Sequence, residues 1–262
     1  MVRRVGFIGL GDIGMPMARC VLNGGFEVVS SANRSREAIE ALKTSGLVEA
    51  DNPFEVAKQS DVLITMVVDE AQNDTVLRGE QGALAGLGKG AVVVVMSTVS
   101  PGYCQKLAEE ADGISVLDCP VSGGRPRAEK GELALICGGD LENIEKCRPV
   151  LETMGTIFHC GSIGMGQVAK LANQGLTAGQ FRLVQEMRAM AVAYGMDLDT
   201  LMSVVQGSSG ASFIAENWDF FEPNWKHLGS MAKKDMNLCI AAAHAKNVSV
   251  PLVEAAGQLT GT

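Results

Sequence analysis

The sequence predicts an α/β fold in which a doubly wound parallel sheet is followed by an all-helical domain, the two joined by one long helix. Three observations support this prediction. A glycine-rich turn lies between two apolar runs near the start of the chain. Apolar runs of strand length then alternate with helix-like segments as far as about residue 161. Beyond that point the sequence has the character of helices only.

Size and composition limit the class of protein. The chain has 262 residues, of which 47% are hydrophobic and 20% charged, as in an ordinary globular protein of one or two domains. Its net charge of −8 makes a nucleic acid an unexpected partner. The apolar runs are too short to span a bilayer, so no membrane partner is expected either.

The cysteines and the N-terminus indicate the compartment. Seven cysteines occur without a CxxC pair or a histidine cluster, which favours reduced thiols over disulfides or a zinc site, and no metal is predicted. The first residues, MVRR, lead into a short apolar run that ends in glycines, unlike a secretory signal. We therefore expect a cytoplasmic protein.

The glycine-rich turn has the pattern GxGxxG of a dinucleotide-binding motif. Residues 2–10 predict a strand before it, and residues 15–23 and 26–30 predict a helix and a second strand after it. Gly9 permits the tight turn, Gly11 lets a pyrophosphate approach the backbone, and Gly14 allows close helix–strand packing. A structural glycine turn is the alternative, but the βαβ context predicts a Rossmann-type cofactor domain. The predicted loop consists of Gly9, Leu10, Gly11, Asp12, Ile13 and Gly14.

The segment after the second strand bears on the choice between NAD and NADP. A carboxylate here binds the ribose 2′-hydroxyl of NAD, whereas the 2′-phosphate of NADP needs cations. The sequence has no acid between Ser30 and Glu37. Arg34, supported by Asn33 and Ser35, is expected to bind the phosphate, with solvated arginines as the alternative. NADP is the predicted cofactor, and NAD remains open.

Two more features of the first half predict binding positions. Residues 61–68 and 91–98 predict parallel strands, and their carboxyl ends, Met66-Val67 and Ser97-Thr98, should face the cofactor. Residues 114–117 predict another strand, followed by Ser122-Gly123-Gly124. A serine hydroxyl and glycine amides can bind a small anion together, although a plain turn is the commoner meaning of this tripeptide. Residues 133–137, 141–154 and 156–160 then predict a strand, a helix and a strand.

Residues 167–194 predict the long helix, because they contain no proline and Gly195 follows them. Four polar residues near its start share one face: Lys170, Asn173, Gln174 and Thr177. Four smaller or apolar neighbours are predicted to be buried: Leu171, Ala172, Gly175 and Leu176. Gly175 and Gly179 indicate that another backbone passes close by.

Lys170 is the candidate base on this helix. Loss of hydration favours the neutral amine, which can accept a proton near neutral pH. The alternative is an ordinary amphipathic helix whose lysine reaches solvent. Farther along, residues 198–206 and 230–245 predict two more helices, and Lys233-Lys234-Asp235 in the second of them is predicted to be a solvated charge run.

Four motifs together resemble the β-hydroxyacid dehydrogenases, which include 3-hydroxyisobutyrate dehydrogenase and tartronate semialdehyde reductase. They are FIGLGDIGMPMA (7–18), DCPVSGGRPRAEKG (118–131), GMGQVAKLANQ (164–174) and AKKDMNL (232–238). The resemblance covers nearly the whole chain. It implies that Lys170 is catalytic. It also implies that Ser122, Gly123, Gly124 and Asn173 bind the substrate, and that Thr98 and Lys234 contact the cofactor.

The same resemblance implies an activity and an organisation. The activity is hydride transfer between NADP(H) and a small 3-hydroxy acid or its semialdehyde, with Lys170 as general acid and base. The organisation is an NADP-binding domain over residues 1–161 and a helical substrate and dimerisation domain over residues 162–262, assembled as a homodimer or homotetramer. Residues 207–212 together with Glu216-Asn217 are similar to the corresponding loop of the threonate branch, which favours a short sugar acid such as threonate as the small carboxylate substrate.

The sequence also allows one other cofactor and two other functions. Ala32 occupies the position at which NAD-using relatives carry an acid, so NAD is retained as a possible cofactor. Imine reduction on the same fold is a second activity, although imine-reducing relatives replace the lysine with Asp or Tyr. A cofactor-binding scaffold without catalysis is the third, and Lys170 and Asn173 argue against it.

Overall fold

The computed structural model describes residues 2–33 and 35–259, with the backbone alone for residues 226–230 and 259. The chain forms two compact units, divided between Lys170 and Leu171. Within its described residues, no helix is both long and apolar enough to cross a membrane.

The first unit is built on a six-stranded parallel sheet. Its strands are β1 (Arg4–Ile8), β2 (Glu27–Ser31), β3 (Val48–Ala50), β4 (Val62–Thr65), β5 (Val92–Val95) and β6 (Ser115–Asp118). Their order is β3-β2-β1-β4-β5-β6, so the direction of winding reverses between β1 and β4. Ligands of such sheets bind at this reversal, beyond the carboxyl ends of the strands.

Helices cover both faces of this sheet. They are α1 (Gly14–Asn23), α2 (Glu37–Lys43), α3 (Pro53–Ala57), α4 (Glu70–Leu77), α5 (Ala83–Gly86) and α6 (Pro101–Glu110). Successive strand residues point to opposite faces, so in β4 Val62 and Ile64 join one core cluster and Leu63 joins the other. Burial on both faces explains the continuous apolar runs of the sequence. The predicted doubly wound sheet is confirmed.

A second, smaller sheet follows. Its strands are β7 (Val121–Ser122), β8 (Leu133–Cys137) and β9 (Gly155–His159), and its helices are α7 (Gly124–Lys130) and α8 (Leu141–Leu151). β7 pairs antiparallel with β8, and β8 pairs parallel with β9. The sequence predicted β8 and β9, but their apolar runs could not reveal that they pair outside the main sheet. β3 and β7 were missed because three and two residues are too few to show a strand pattern.

The long helix α9 (Met165–Ala193) leads into the helical unit. That unit continues with α10 (Leu198–Gln206), α11 (Phe213–Glu216), α12 (Trp218–His244) and α13 (Pro251–Leu259). The predicted helix over residues 198–206 is confirmed, whereas the one over residues 230–245 is the second half of the longer α12. The start of α12 was missed because Pro223 lies inside it and prolines usually end helices. Phe181 stacks between Trp218 and Trp225 in the core of this unit, with ring centroids 4.9 and 3.6 Å away.

Two predictions about α9 are wrong. Leu171 and Gly175 are buried as expected, but Ala172 and Leu176 are exposed because a helix turns about 100° per residue and carries these two onto the opposite face. A Cβ added to Gly179 would meet no atom of the described residues within 4 Å, so none of the backbone that the structure describes passes close to it. Gly175 faces the side chains of Cys239 and Val253.

Candidate functional site

The glycine-rich loop has the geometry that a dinucleotide requires. Gly9 has a φ of +103°, and a Cβ there would overlap the carbonyl oxygen of Met66. A Cβ on Gly14 would overlap the carbonyl oxygen of Gly9. A Cβ on Gly11, by contrast, would meet nothing within 4 Å. Two glycines are therefore required by the protein itself, and the third leaves open space where a pyrophosphate would fit.

The remaining loop residues divide into packing and charged positions. Leu10 and Ile13 are half-buried against the core that lies under α1. Asp12 is exposed, and its carboxylate accepts a hydrogen bond of 2.7 Å from the guanidinium of Arg125 on α7. The loop is thus tied to the segment that follows Ser122.

The segment after β2 is exposed. Asn33 and Ser35 lie at the surface, while the predicted phosphate ligand Arg34 lies outside the described residues. Arg36 is occupied by ion pairs of 2.8 Å to Glu49 and 3.3 Å to Glu40. The hydrogen bond from Lys43, followed by that from Arg36, lowers the pKa of the Glu49 carboxyl, so this acid stays ionised.

The carboxyl ends of β4 and β5 are joined to each other. Met66 and Val67 follow β4 and are half-buried, and the amide of Val67 donates 3.0 Å to the hydroxyl of Ser97. Thr98 is half-buried one residue farther on. These residues lie beside the point at which the strand order reverses, at the carboxyl ends of the strands. The sequence predicted that the cofactor binds at these strand ends.

Ser122-Gly123-Gly124 passes from the short strand β7 into α7. Gly123 and Gly124 have φ values of +138° and +66°, which few other residues adopt. A Cβ on Gly123 would also collide with the side chain of Arg127, which runs alongside it. The backbone of this tripeptide therefore requires glycine at both positions, and Gly124 is exposed.

Asp118 is a site residue that the sequence analysis missed. It ends β6, is fully buried, and its carboxylate accepts hydrogen bonds from the amides of Gly164 at 2.6 Å and Gln167 at 2.7 Å. Burial raises the pKa of this carboxyl, and the amide donors oppose the rise. A lone acid directly after a buried strand was the signal that could have identified it.

Lys170 lies one turn after Gln167, and only 6% of its surface is exposed. The prediction that its side chain is withdrawn from water is therefore confirmed. The next residues of the polar face lie in the second unit. Asn173 is exposed, and its carbonyl accepts a hydrogen bond of 2.9 Å from Thr177.

Two further residues of the second unit complete the predicted set. The amide of Gln174 donates 2.7 Å to Asp235 on α12, and Lys234 forms an ion pair of 3.3 Å with the same carboxylate. Asp235 is 6% exposed, so the prediction that Lys233-Lys234-Asp235 is a solvated charge run is wrong for its last residue. In the parts of the chain that the structure describes, no group of three or more His, Cys, Asp or Glu residues could hold a metal ion.

Comparison with known families matches both halves of the chain. Residues 4–166 match the NAD-binding domain of 6-phosphogluconate dehydrogenase, and residues 164–262 match the NAD-binding domain of NADP-dependent 3-hydroxyisobutyrate dehydrogenase. The chain is 32% identical to the NAD-dependent L-serine dehydrogenase of Pseudomonas aeruginosa, over 96% of this chain and 89% of that protein. It is also 32% identical to the L-threonate dehydrogenase of Cupriavidus necator, over 99% of this chain and 90% of that protein.

Solved structures also resemble the chain along nearly its whole length. The 3-hydroxyisobutyrate dehydrogenase of Mycobacterium tuberculosis with L-serine superposes with a TM-score of 0.87 at 27% identity, over 98% of this chain and 92% of that one. Psf3 in complex with NADP⁺ and 2-OPP superposes with a TM-score of 0.83 at 26% identity, over 97% and 92% of the two chains.

Proposed function

The chain belongs to the β-hydroxyacid dehydrogenase family, an NAD(P)-dependent group that acts on CH–OH, and from this premise we propose that it transfers a hydride between NADP(H) and a small 3-hydroxy acid or its semialdehyde. Lys170 is the general acid and base of this reaction. The observation that carries the proposal is the near-complete burial of Lys170, one turn beyond a helix start that is hydrogen-bonded to the carboxyl edge of the sheet.

The amine moves the proton. Removing an ammonium from water favours its neutral form, so a buried lysine can take the hydroxyl proton of the substrate near neutral pH. In the reductive direction the ammonium returns the proton to the carbonyl oxygen. The bound nicotinamide supplies the hydride acceptor or donor. The role of the chain is to hold the reacting groups in line and to exclude water.

We assign most of the cofactor contacts to the first unit, and NADP is preferred to NAD. The open space at Gly11 supports a pyrophosphate position, and the absence of an acid between Ser30 and Glu37 supports the 2′-phosphate. The contacts assigned to the cofactor are Gly9, Leu10, Gly11, Asp12, Ile13, Gly14, Asn33, Arg34, Ser35, Met66, Val67, Thr98 and Lys234. The domain of residues 1–161 is assigned the NADP-binding motif and the substrate-binding tripeptide Ser122-Gly123-Gly124, and residues 162–262 are assigned the other substrate contacts and assembly.

The substrate carboxylate is assigned to Ser122, Gly123 and Gly124. The positive φ values of the two glycines and the exposure of Gly124 support an anion-binding role. Asn173, one turn beyond Lys170, orients the reacting group. Threonate is the favoured substrate, supported by the resemblance of residues 207–212 and Glu216-Asn217 to the loop of the threonate branch. The relatives named for L-serine, 3-hydroxyisobutyrate and L-threonate are about equally similar, so L-serine and 3-hydroxyisobutyrate are the comparison substrates.

The second unit carries an apolar surface suited to self-association. Exposed large side chains on α9 recur at helical spacing: Leu176, Leu183, Met187 and Met190. An apolar stripe of this kind is a common interface between copies of one chain. We therefore propose a homodimer or homotetramer.

The test is a substrate panel with a lysine variant. The purified protein is assayed with NADPH and NADH against small semialdehydes, threonate, L-serine and cyclic imines. Lys170→Ala is expected to lower kcat by about a hundredfold or more, because proton transfer by a positioned side chain contributes about 10²–10⁴-fold. Lys246→Ala, which removes an exposed lysine after α12, is the matched control. Full activity of Lys170→Ala would remove the mechanism, and turnover of imines alone would remove the substrate class.

A further inference from the structure

The start of α9 is bound to the end of β6 by a buried carboxylate. The two oxygens of Asp118 accept hydrogen bonds from the amides of Gly164 and Gln167, at 2.6 and 2.7 Å. These amides belong to the residue before the helix and to its first turn, where backbone donors have no partner within the helix. Asp118 therefore caps a helix whose preceding residue, Gly164, lies 46 residues later in the chain.

A second side chain binds the same turn to the end of β5. The Gln167 side chain accepts 3.1 Å from the amide of Val99 through Oε1 and donates 2.9 Å to the carbonyl of Ser97 through Nε2. Ser97 in turn accepts a hydrogen bond from Val67, which follows β4. The first turn of α9 is thus connected to the ends of three neighbouring strands, β4, β5 and β6.

Burial of Asp118 opposes the charge of its carboxyl group. Titratable groups near Asp118 include the thiols of Cys104, Cys119 and Cys160. Burial raises the pKa of Asp118 above its ordinary value despite the amide donors. A carboxyl whose pKa is higher in the folded than in the unfolded chain weakens folding as the pH rises through that folded value. The desolvation of an ionised Asp118 therefore opposes folding, and its hydrogen bonds to the amides of Gly164 and Gln167 offset part of this cost.

We propose that Asp118 and Gln167 are positioning residues that fix the height and rotation of the first turn of α9 and thereby aim the amine of Lys170 at the reacting alcohol. This inference rests on the proposed acid–base role of Lys170. Gln167 and Lys170 are three residues apart, so they lie on adjacent turns of one face. Asp118 and Gln167 are both fully buried, so their hydrogen bonds are shielded from competition with water and hold the turn in place.

The experiment compares two variants with a matched control. Asp118→Asn keeps the shape but places an amide group against an N–H donor, and Gln167→Met removes both side-chain bonds at similar volume. The control is Asp61→Asn. Its carboxylate also accepts two backbone amides, those of Arg3 and Arg4 at 2.8 and 3.1 Å, but it lies at the amino edge of the sheet.

The readout is kcat per NADPH-binding site, with the sites counted by fluorescence titration so that a loss of folded protein does not enter the result. Asp118→Asn and Gln167→Met are expected to lower this kcat by about 10–100-fold, because small misplacements of a reacting group cost up to about a hundredfold. The KM for NADPH should stay within about twofold. Asp61→Asn should leave both unchanged.

A second readout needs no turnover. The rate at which trinitrobenzenesulfonate modifies Lys170 in the cofactor-free protein, followed against pH by peptide mass analysis, should shift its midpoint in both variants and not in Asp61→Asn. If either folded variant keeps wild-type kcat per site and the wild-type midpoint, the inference is overturned. Gln167→Met decides the question should Asp118→Asn fail to fold. An active Lys170→Ala would instead overturn the proposed function itself, whatever these variants do.

Discussion

Arg125 donates a hydrogen bond of 2.7 Å to Asp12 and so joins two motifs that lie 113 residues apart in the sequence. Asp12 belongs to the glycine-rich loop, and Arg125 directly follows Ser122-Gly123-Gly124. The arginine also pairs with Glu129 at 2.8 Å, which holds it against α7. Both partners of the Arg125–Asp12 pair are more than half exposed, so solvent screens their attraction. The pair therefore connects the two assigned binding loops without contributing much to stability.

Arg125→Ala should change the free energy of unfolding in urea by less than about 1 kcal/mol, as for other exposed pairs. It should nevertheless weaken NADPH binding severalfold, because it leaves the charge of Asp12 unbalanced beside the assigned pyrophosphate position. Arg4→Ala breaks a comparable exposed pair with Glu27 at 2.7 Å and serves as the control for stability. Equal NADPH dissociation constants for Arg125→Ala and the wild type would contradict this prediction.

Substitution of two glycines in the loop should distinguish a role in folding from a role in cofactor binding. Gly14→Ala is expected to destabilise the chain by about 1–3 kcal/mol, because its Cβ overlaps the carbonyl of Gly9. Gly11→Ala meets no protein atom within 4 Å, so it should leave the melting temperature unchanged and raise the NADPH dissociation constant about tenfold or more. Thermal melting and fluorescence titration distinguish the two effects. If Gly11→Ala bound NADPH normally, the assignment of the pyrophosphate to this loop would be wrong.

The preference for NADPH over NADH should change when an acidic residue is introduced directly after β2. Ala32→Asp places a carboxylate at the position where relatives that use NAD carry one, where it repels a 2′-phosphate and can bind a 2′-hydroxyl. The ratio of kcat/KM for NADPH to that for NADH should fall by about tenfold or more. Ala32→Asn is the matched uncharged control and should change the ratio far less. An unaltered ratio in Ala32→Asp would place the adenosine ribose elsewhere.

The rate at which each cysteine reacts with a thiol reagent should depend on how deeply its thiol is buried. Cys104, Cys119, Cys137 and Cys147 are buried, whereas Cys20, Cys160 and Cys239 are half-buried. Burial raises the pKa of Cys147 to about 12 and raises that of Cys104 as well, so thiolate is scarce at neutral pH. A disulfide reagent should therefore modify at most three thiols of the native protein rapidly, and the other four only on unfolding. Rapid native modification of Cys104 or Cys147 would show that the first unit opens locally.

Much of the fold could be read from the sequence because its signals are local. The apolar runs of β4 and β5 predict buried parallel strands, and the absence of proline predicts α9. The positions of Gly9 and Gly14 also followed from the motif, since the tight turn and close packing need glycine whatever surrounds them. The short strands β3 and β7 and the early start of α12 carry no comparable local signal.

The site was predictable only in part, because only some of its residues carry a local sequence signal. Lys170 and Ser122 stand in recognisable patterns, and the burial of Lys170 agrees with its pattern. The residues that hold the start of the lysine's helix, Asp118 and Gln167, do not stand in such patterns. Nothing within the sequence near Asp118 indicates that its carboxylate caps a helix 46 residues later, or that Gln167 bonds to the backbone of Val99.

The sequence by itself therefore determined the class of sheet, the long helix, the glycine loop and the candidate lysine, because periodicity, turn chemistry and helix breakers act over a few neighbouring residues. Tertiary structure alone decided which strands pair outside the main sheet, which side of α9 is exposed, and how Asp118 and Gln167 bind the first turn of that helix. These depend on hydrogen bonds and packing between segments far apart in the chain, and only the folded backbone brings such segments within about 3 Å of each other.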